Sequence, residues 1–138
     1  MKQPFARQPE NSEKATLLSV LANEQDYVAL ESIVTAFRWT VRRASGCREA
    51  RNILRRTNVS VVLCDQNLPD GSWKQMLREI AGLKNAPILI VASTLADEAL
   101  WAEVLNLGGY DLLSKPFRAD EVLRTITSAP HLSLAATS

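Results

Sequence analysis

Short apolar runs alternate with amphipathic stretches along the whole chain. Residues 16–21 (TLLSVL) form an apolar run of strand length, broken by the polar segment 22–26. Leu30, Ile33, Val34 and Phe37 then recur at i, i+3, i+4 and i+7, which is one face of a helix. Residues 39–44 predict a second strand, and Arg42 and Arg43 in it suit a sheet edge. After the Ser45-Gly46 turn, Cys47, Ala50, Ile53 and Leu54 keep helical spacing. Residues 60–64 predict a third strand that runs into Asp65. The segment Leu68-Pro69-Asp70-Gly71 then turns out of the sheet, because proline fixes φ and glycine permits positive φ. Trp73, Met76, Leu77 and Ile80 repeat the helical pattern. Pro87 opens a strand at 88–91 that is apolar on both faces and therefore central. A helix over 97–107 starts with acids that suit its positive end and stops at Gly108-Gly109. Residues 110–113 predict a fifth strand, and Lys115-Pro116-Phe117 leads into a last helix over 119–127, ended by Pro130.

Five strands alternating with five helices predict an α/β fold: a parallel sheet with helices on both faces. In such a sheet the ligand site lies beyond the carboxyl ends of the strands. A length of 138 residues favours one domain, expected over 15–129, with a flexible polar leader at 1–14 and a tail at 130–138. A net charge of +1 gives no bulk attraction to nucleic acid or membrane. No apolar run is long enough to span a bilayer and the N-terminus lacks a secretory core, so the expected compartment is the cytoplasm. Two cysteines call for no disulfide there, and Cys64, inside an apolar run, reads as a small buried hydrophobe.

Three polar residues fall at carboxyl ends of predicted strands: Asp65, Ser93 and Lys115. A carboxylate, a hydroxyl and an ammonium on one rim suit an acyl phosphate, with Asp65 as nucleophile and the other two on phosphoryl oxygens. Each residue alone is commonplace, and it is their joint placement that points to chemistry. Arg42, Arg43, Arg48, Arg51, Arg55 and Arg56 form a basic cluster that reads as a solvated face rather than a nucleic-acid contact. His131 is the only histidine and lies in the tail. Leu100, Trp101, Val104, Leu105 and Leu107 cover more than one face of the fourth helix, so part of that surface is expected to be exposed.

The motif D-x-N-L-P-D-G at 65–71, Ser93, and S-K-P-F at 114–117 resemble the receiver domains of two-component response regulators. The resemblance implies a flavodoxin-like, three-layered fold with strand order 2-1-3-4-5. It implies Asp65 as phospho-acceptor from a histidine kinase or phosphotransfer protein, Ser93 as switch hydroxyl and Lys115 as phosphate-binding lysine. Such a domain is a signalling acceptor, with at most weak self-catalysed phosphorylation and dephosphorylation. Signals would leave through the fourth helix, fifth strand and fifth helix to a downstream protein or a second copy. The expected role is a stand-alone receiver, with no direct nucleic-acid or membrane partner.

Two departures accompany the resemblance. Receivers carry two adjacent acids after the first strand to hold Mg²⁺, and here those positions are Leu21-Ala22 or Ala22-Asn23. The remaining metal ligands would be Asp65, the Asn67 carbonyl and Glu24, with Glu24 expected to reach in rather than Asp26, the more typical helix-start acid. Mg²⁺ binding is therefore expected to be weak or absent. Where the family places an aromatic switch, this chain has Leu112, and Tyr110 is expected on the same side by strand alternation. A phosphorylation-independent pseudo-receiver, acting as an interaction module, is the alternative. A flavin or nucleotide enzyme ranks below both, because segment 22–26 has neither glycine nor hydroxyl and carries two acids.

Overall fold

The computed structural model describes residues 15–128. The expected leader, the tail, Pro130 and His131 lie outside them. Five parallel strands make the sheet: β1 (Thr16–Val20), β2 (Thr40–Ala44), β3 (Val61–Asp65), β4 (Ile88–Ser93) and β5 (Asp111–Ser114). Their order across the sheet is β2-β1-β3-β4-β5, the flavodoxin-like 2-1-3-4-5 arrangement. The helices are α1 (Glu24–Val34), α2 (Cys47–Arg56), α3 (Trp73–Ala81), α4 (Glu98–Leu107) and α5 (Ala119–Thr127).

The hydrophobic pattern sorts these helices into two layers. On β3, Val61 and Leu63 face one way and Val62 and Cys64 the other, and all are fully buried. Leu17, Val61, Leu63, Ile90 and Leu113 pack against Tyr27, Leu30 and Val34 of α1 and Val122 and Ile126 of α5. Leu18, Val62, Cys64 and Val91 pack against Ile53, Met76, Ile80 and Val104 on α2, α3 and α4. β2 is an edge strand, with Arg42 and Arg43 exposed, as their charge requires. Within β3 and β4 every residue but Ile88, at the start of β4, is buried, as expected for a central strand apolar on both faces at 88–91.

The helical pattern overreaches at one end. Phe37, expected on the buried face of the first helix, is 56% exposed. The α-helix stops at Val34 and a 3-10 turn over Thr35–Phe37 changes the phase, so the i+7 position swings outward. At α4 the sequence signal is accurate. Asp97 accepts the Leu100 amide at the start, and Gly108 closes the helix at φ 111°, a conformation that favours glycine.

The Pro-Asp-Gly turn carries a second task. α2 begins after Gly46, which has no side chain to cap it. Asp70 supplies the cap from across the structure, accepting the Cys47 amide at 2.7 Å and the Arg48 amide at 3.1 Å. A Cβ on Gly46 would lie 2.5 Å from Asp70 Oδ1, so any other residue here would push the capping carboxylate aside. The Cys47 and Arg48 amides hold the Asp70 carboxyl below its ordinary value. A group with a depressed folded value stabilises the fold above the ordinary carboxylate range, near about 3.9, and loses that contribution as pH falls through the folded value. Asp70→Ala is therefore expected to lower the melting temperature at neutral pH, with the gap from the unaltered protein closing as pH drops below that range. Paired thermal melts across pH measure it.

Candidate functional site

β3, β4 and β5 end on the same rim, with Asp65 opposite Ala92 and Ser93 opposite Ser114 in the register. Asp65, Ser93 and Lys115 line one cleft of about 180 Å³, together with Gln66, Asn67, Ala92, Thr94 and Leu95. Alternation then decides which of them touch. Asp65 continues the Val61–Leu63 face and Lys115 continues the Leu113 face, and both belong to the α1/α5 side. Their side chains meet, with Lys115 Nζ 2.7 Å from Asp65 Oδ1. Ser93 continues the Val91 face, as Gln66 continues that of Cys64, and both belong to the other side. The Ser93 hydroxyl accordingly donates to Gln66 Oε1 at 2.8 Å and accepts the Leu95 amide at 2.9 Å. The three expected residues share a rim, but the hydroxyl reaches the cleft from the opposite face of the sheet.

The Asp65 carboxylate is almost enclosed, its side chain 6% exposed. Its second oxygen accepts the Ala22 amide at 2.9 Å. Lys115 also donates to Asp26 Oδ2 at 3.0 Å, so one ammonium joins two carboxylates. Burial pulls the Lys115 ammonium toward its neutral form, but the hydrogen bonds to Asp65 and Asp26 outweigh it and hold its pKa above the ordinary lysine value. The peptide bond between Lys115 and Pro116 is cis.

The first turn of α1 departs from expectation. Glu24 does not face Asp65. Arg43 on the edge strand draws it away, with Nη1 3.0 Å from Glu24 Oε1 while Nε reaches Glu31 Oε2 at 2.7 Å. Asp26, two residues on, turns toward the rim instead. Tyr110 also differs. It precedes β5, so strand alternation does not govern it. It packs on the α1/α5 side and its hydroxyl donates to the Ser128 carbonyl, while Leu112 packs on the other side.

Asp26 was ranked below Glu24 from the sequence, yet it is the acid that reaches the rim. Tyr27, Gln66 and the Ala22 amide carry no role in the sequence reading. Tyr27 had a signal, because it extends the Leu30, Val34 helical face by one turn. Its hydroxyl accepts the Leu21 amide at 3.0 Å and donates to the Ala44 carbonyl, tying the ends of β1 and β2 together. Burial raises the Tyr27 pKa. The Ala22 amide has no sequence signal, since any residue would present one.

The model of the response regulator receiver domain family matches residues 20–127. The chain belongs to the response regulator receiver family. Among curated relatives, this receiver is 34% identical over 90 residues to the hydrogenase transcriptional regulatory protein HoxA of Cupriavidus necator, covering 64% of this chain and 19% of that protein. It is 28% identical over 116 residues to the regulatory protein VirG of Agrobacterium fabrum, covering 82% of this chain and 46% of that one. The chain thus spans between about a fifth and about half of the length of these relatives. The solved beryllofluoride-activated NtrC4 receiver domain dimer superposes with a TM-score of 0.75 at 23% identity, covering 82% of this chain and 93% of that one.

Receiver domains typically bind Mg²⁺, a hard cation held by carboxylate and other oxygens. The donor set here does not fit it. Leu21, 1% exposed, lies in the apolar core, and Ala22 has no donor side chain. Glu24 is engaged by Arg43, and the ammonium of Lys115 lies between the two carboxylates at the rim. Among the described residues no group of three His, Cys, Asp or Glu side chains is arranged to hold a metal.

Removing the Tyr27 hydroxyl strands a buried amide and a buried carbonyl. Tyr27→Phe is expected to cost about 1–3 kcal/mol of stability, read from urea unfolding midpoints.

Proposed function

We propose that this receiver accepts a phosphoryl group on Asp65 from a histidine kinase or phosphotransfer protein of a two-component system. The observation that carries the reading is the Lys115–Asp65 hydrogen bond at the mouth of a polar cleft that Ser93 also lines. In the transfer an Asp65 carboxylate oxygen attacks phosphorus. The O–P bond forms as the N–P bond to the donor histidine breaks, and the electron pair returns to the imidazole nitrogen. Lys115 offsets negative charge on the phosphoryl oxygens, and the Ser93 hydroxyl exchanges Gln66 for one of them.

The output surface in this reading is α4, β5 and α5. Trp101, Leu105 and Leu107 on α4 are 48%, 37% and 50% exposed, an apolar patch suited to a downstream protein or a second copy of this chain. Asp111 accepts the Trp101 indole N–H at 3.3 Å, which links α4 to β5. Loss of the Ser93–Gln66 bond at the end of β4 would act on the loop that leads into α4, whose Leu95 amide bonds Ser93. The compartment in this reading is the cytoplasm, where the kinase presents its phosphohistidine. No helix among the described residues is long and apolar enough to cross a membrane.

A second reading, the phosphorylation-independent interaction module, is favoured by one observation: the segment after β1, Leu21-Ala22-Asn23, carries no carboxylate, and Leu21 is buried in the core. Incubation with a small phosphoryl donor in the presence of Mg²⁺, followed by intact-mass analysis, separates the two. The expected result is a gain of one phosphoryl group, labile to hydroxylamine and lost in Asp65→Asn. An unmodified protein, with the α4 face still binding its partner, would favour the second reading.

A further inference from the structure

The acceptor already has a cation beside it. Lys115 Nζ lies 2.7 Å from Asp65 Oδ1 and 3.0 Å from Asp26 Oδ2, with the lysine side chain 14% exposed. The two bonds use two of its three N–H donors. The oxygen groups of the neighbouring loop are spoken for: Leu21 is buried in the core, Ala22 offers only its amide, to Asp65, Asn23 caps α1, and Glu24 pairs with Arg43.

A charge count shows what this substitution does. A receiver with two extra acids and one divalent cation adds two negative and two positive charges to its acceptor–lysine pair. Deleting the acids and the metal together leaves that pair with the same balance. In this chain one further charge remains, that of Asp26, and the residue in contact with it is Lys115. Coulomb energies at such separations are large in a partly buried site, so the Asp26 charge opposes any anion that approaches the same ammonium.

Resting on the reading of Asp65 as acceptor, we propose that Lys115 is the resident cation of this site. A phosphate-like anion binds at Asp65 without a divalent metal, and Asp26 is the counter-ion that the anion displaces from Lys115. Asp26 is thus a positioning residue: in the resting state it holds the ammonium beside the acceptor, and in the bound state it gives the ammonium up. The Lys115–Asp26 bond joins the loop after β5 to the first turn of α1, so its exchange also changes the tether between those elements.

The test is titration of the full chain with beryllium fluoride, once with excess Mg²⁺ and once with EDTA. Amide shifts and the fluorescence of Trp73, whose amide bonds the Gln66 carbonyl, give the readout. The two apparent affinities are expected to agree within about twofold. Mg²⁺ alone is expected to leave the amides of Ala22 and Asp65 unmoved. Asp26→Asn, which keeps a polar side chain of the same shape at this partly buried position, is expected to tighten binding about fivefold in both buffers, because a repelling charge is gone. Lys115→Gln is expected to abolish saturation, and melting curves confirm that both variants fold. Binding that requires Mg²⁺ would overturn the proposal and leave Asp65 as acceptor. Binding in neither buffer would overturn both. Weaker binding in Asp26→Asn would show that Asp26 supports the anion site rather than competing with it.

Discussion

The bond between Lys115 and Asp65 is the constraint around which the rim is arranged. A carboxylate only 6% exposed would be costly alone, and so would a lysine 14% exposed. Paired, and with the second Asp65 oxygen on the Ala22 amide, each charge has the partner that burial demands. The pair forms because β3 and β5 place these residues on the same face, one strand apart, with β4 between them. A shift of one residue in either register would send one partner to the opposite face. The apolar alternation that fills the two layers therefore also fixes the polar contact.

Two tethers support that geometry from the loops. Tyr27 ties the ends of β1 and β2 together and holds the Leu21 amide, next to the Ala22 amide that serves Asp65. Arg43 lies 4.7 Å over the Tyr27 ring and draws Glu24 and Glu31 to the sheet edge. Those contacts clear Glu24 from the rim and leave Asp26 facing Lys115. On the opposite side, Asp70 in the turn after β3 caps α2, so one short segment carries the acceptor at its start and a helix cap near its end.

Much of this was legible in the sequence. The layers and the rim carrying Asp65, Ser93 and Lys115 followed from periodicity and turn chemistry, and the strand order from the resemblance to receivers. That residues 21–23, Leu-Ala-Asn, contain no carboxylate could be read letter by letter. What escaped was decided by side-chain direction beyond regular elements. Glu24 and Asp26 differ by two positions on a helix, about half a turn, and the choice between them fell to an arginine from another strand. Tyr110 sits before its strand, where alternation has no hold. Phe37 lost its place in the core when the helix tightened into a 3-10 turn. Asp70 read correctly as a turn residue, but its capping partner lies 23 positions earlier in the chain, beyond the reach of any local pattern.

The central contact is the Lys115 ammonium held between Asp65 and Asp26. Nitrogen-detected NMR of the lysine side-chain ammonium groups observes this directly. A single slowly exchanging Lys115 signal is expected, shifting in Asp65→Asn and again in Asp26→Asn, and unmoved by Mg²⁺. A Lys115 signal that exchanges as fast as the exposed lysines, and is indifferent to both substitutions, would contradict it.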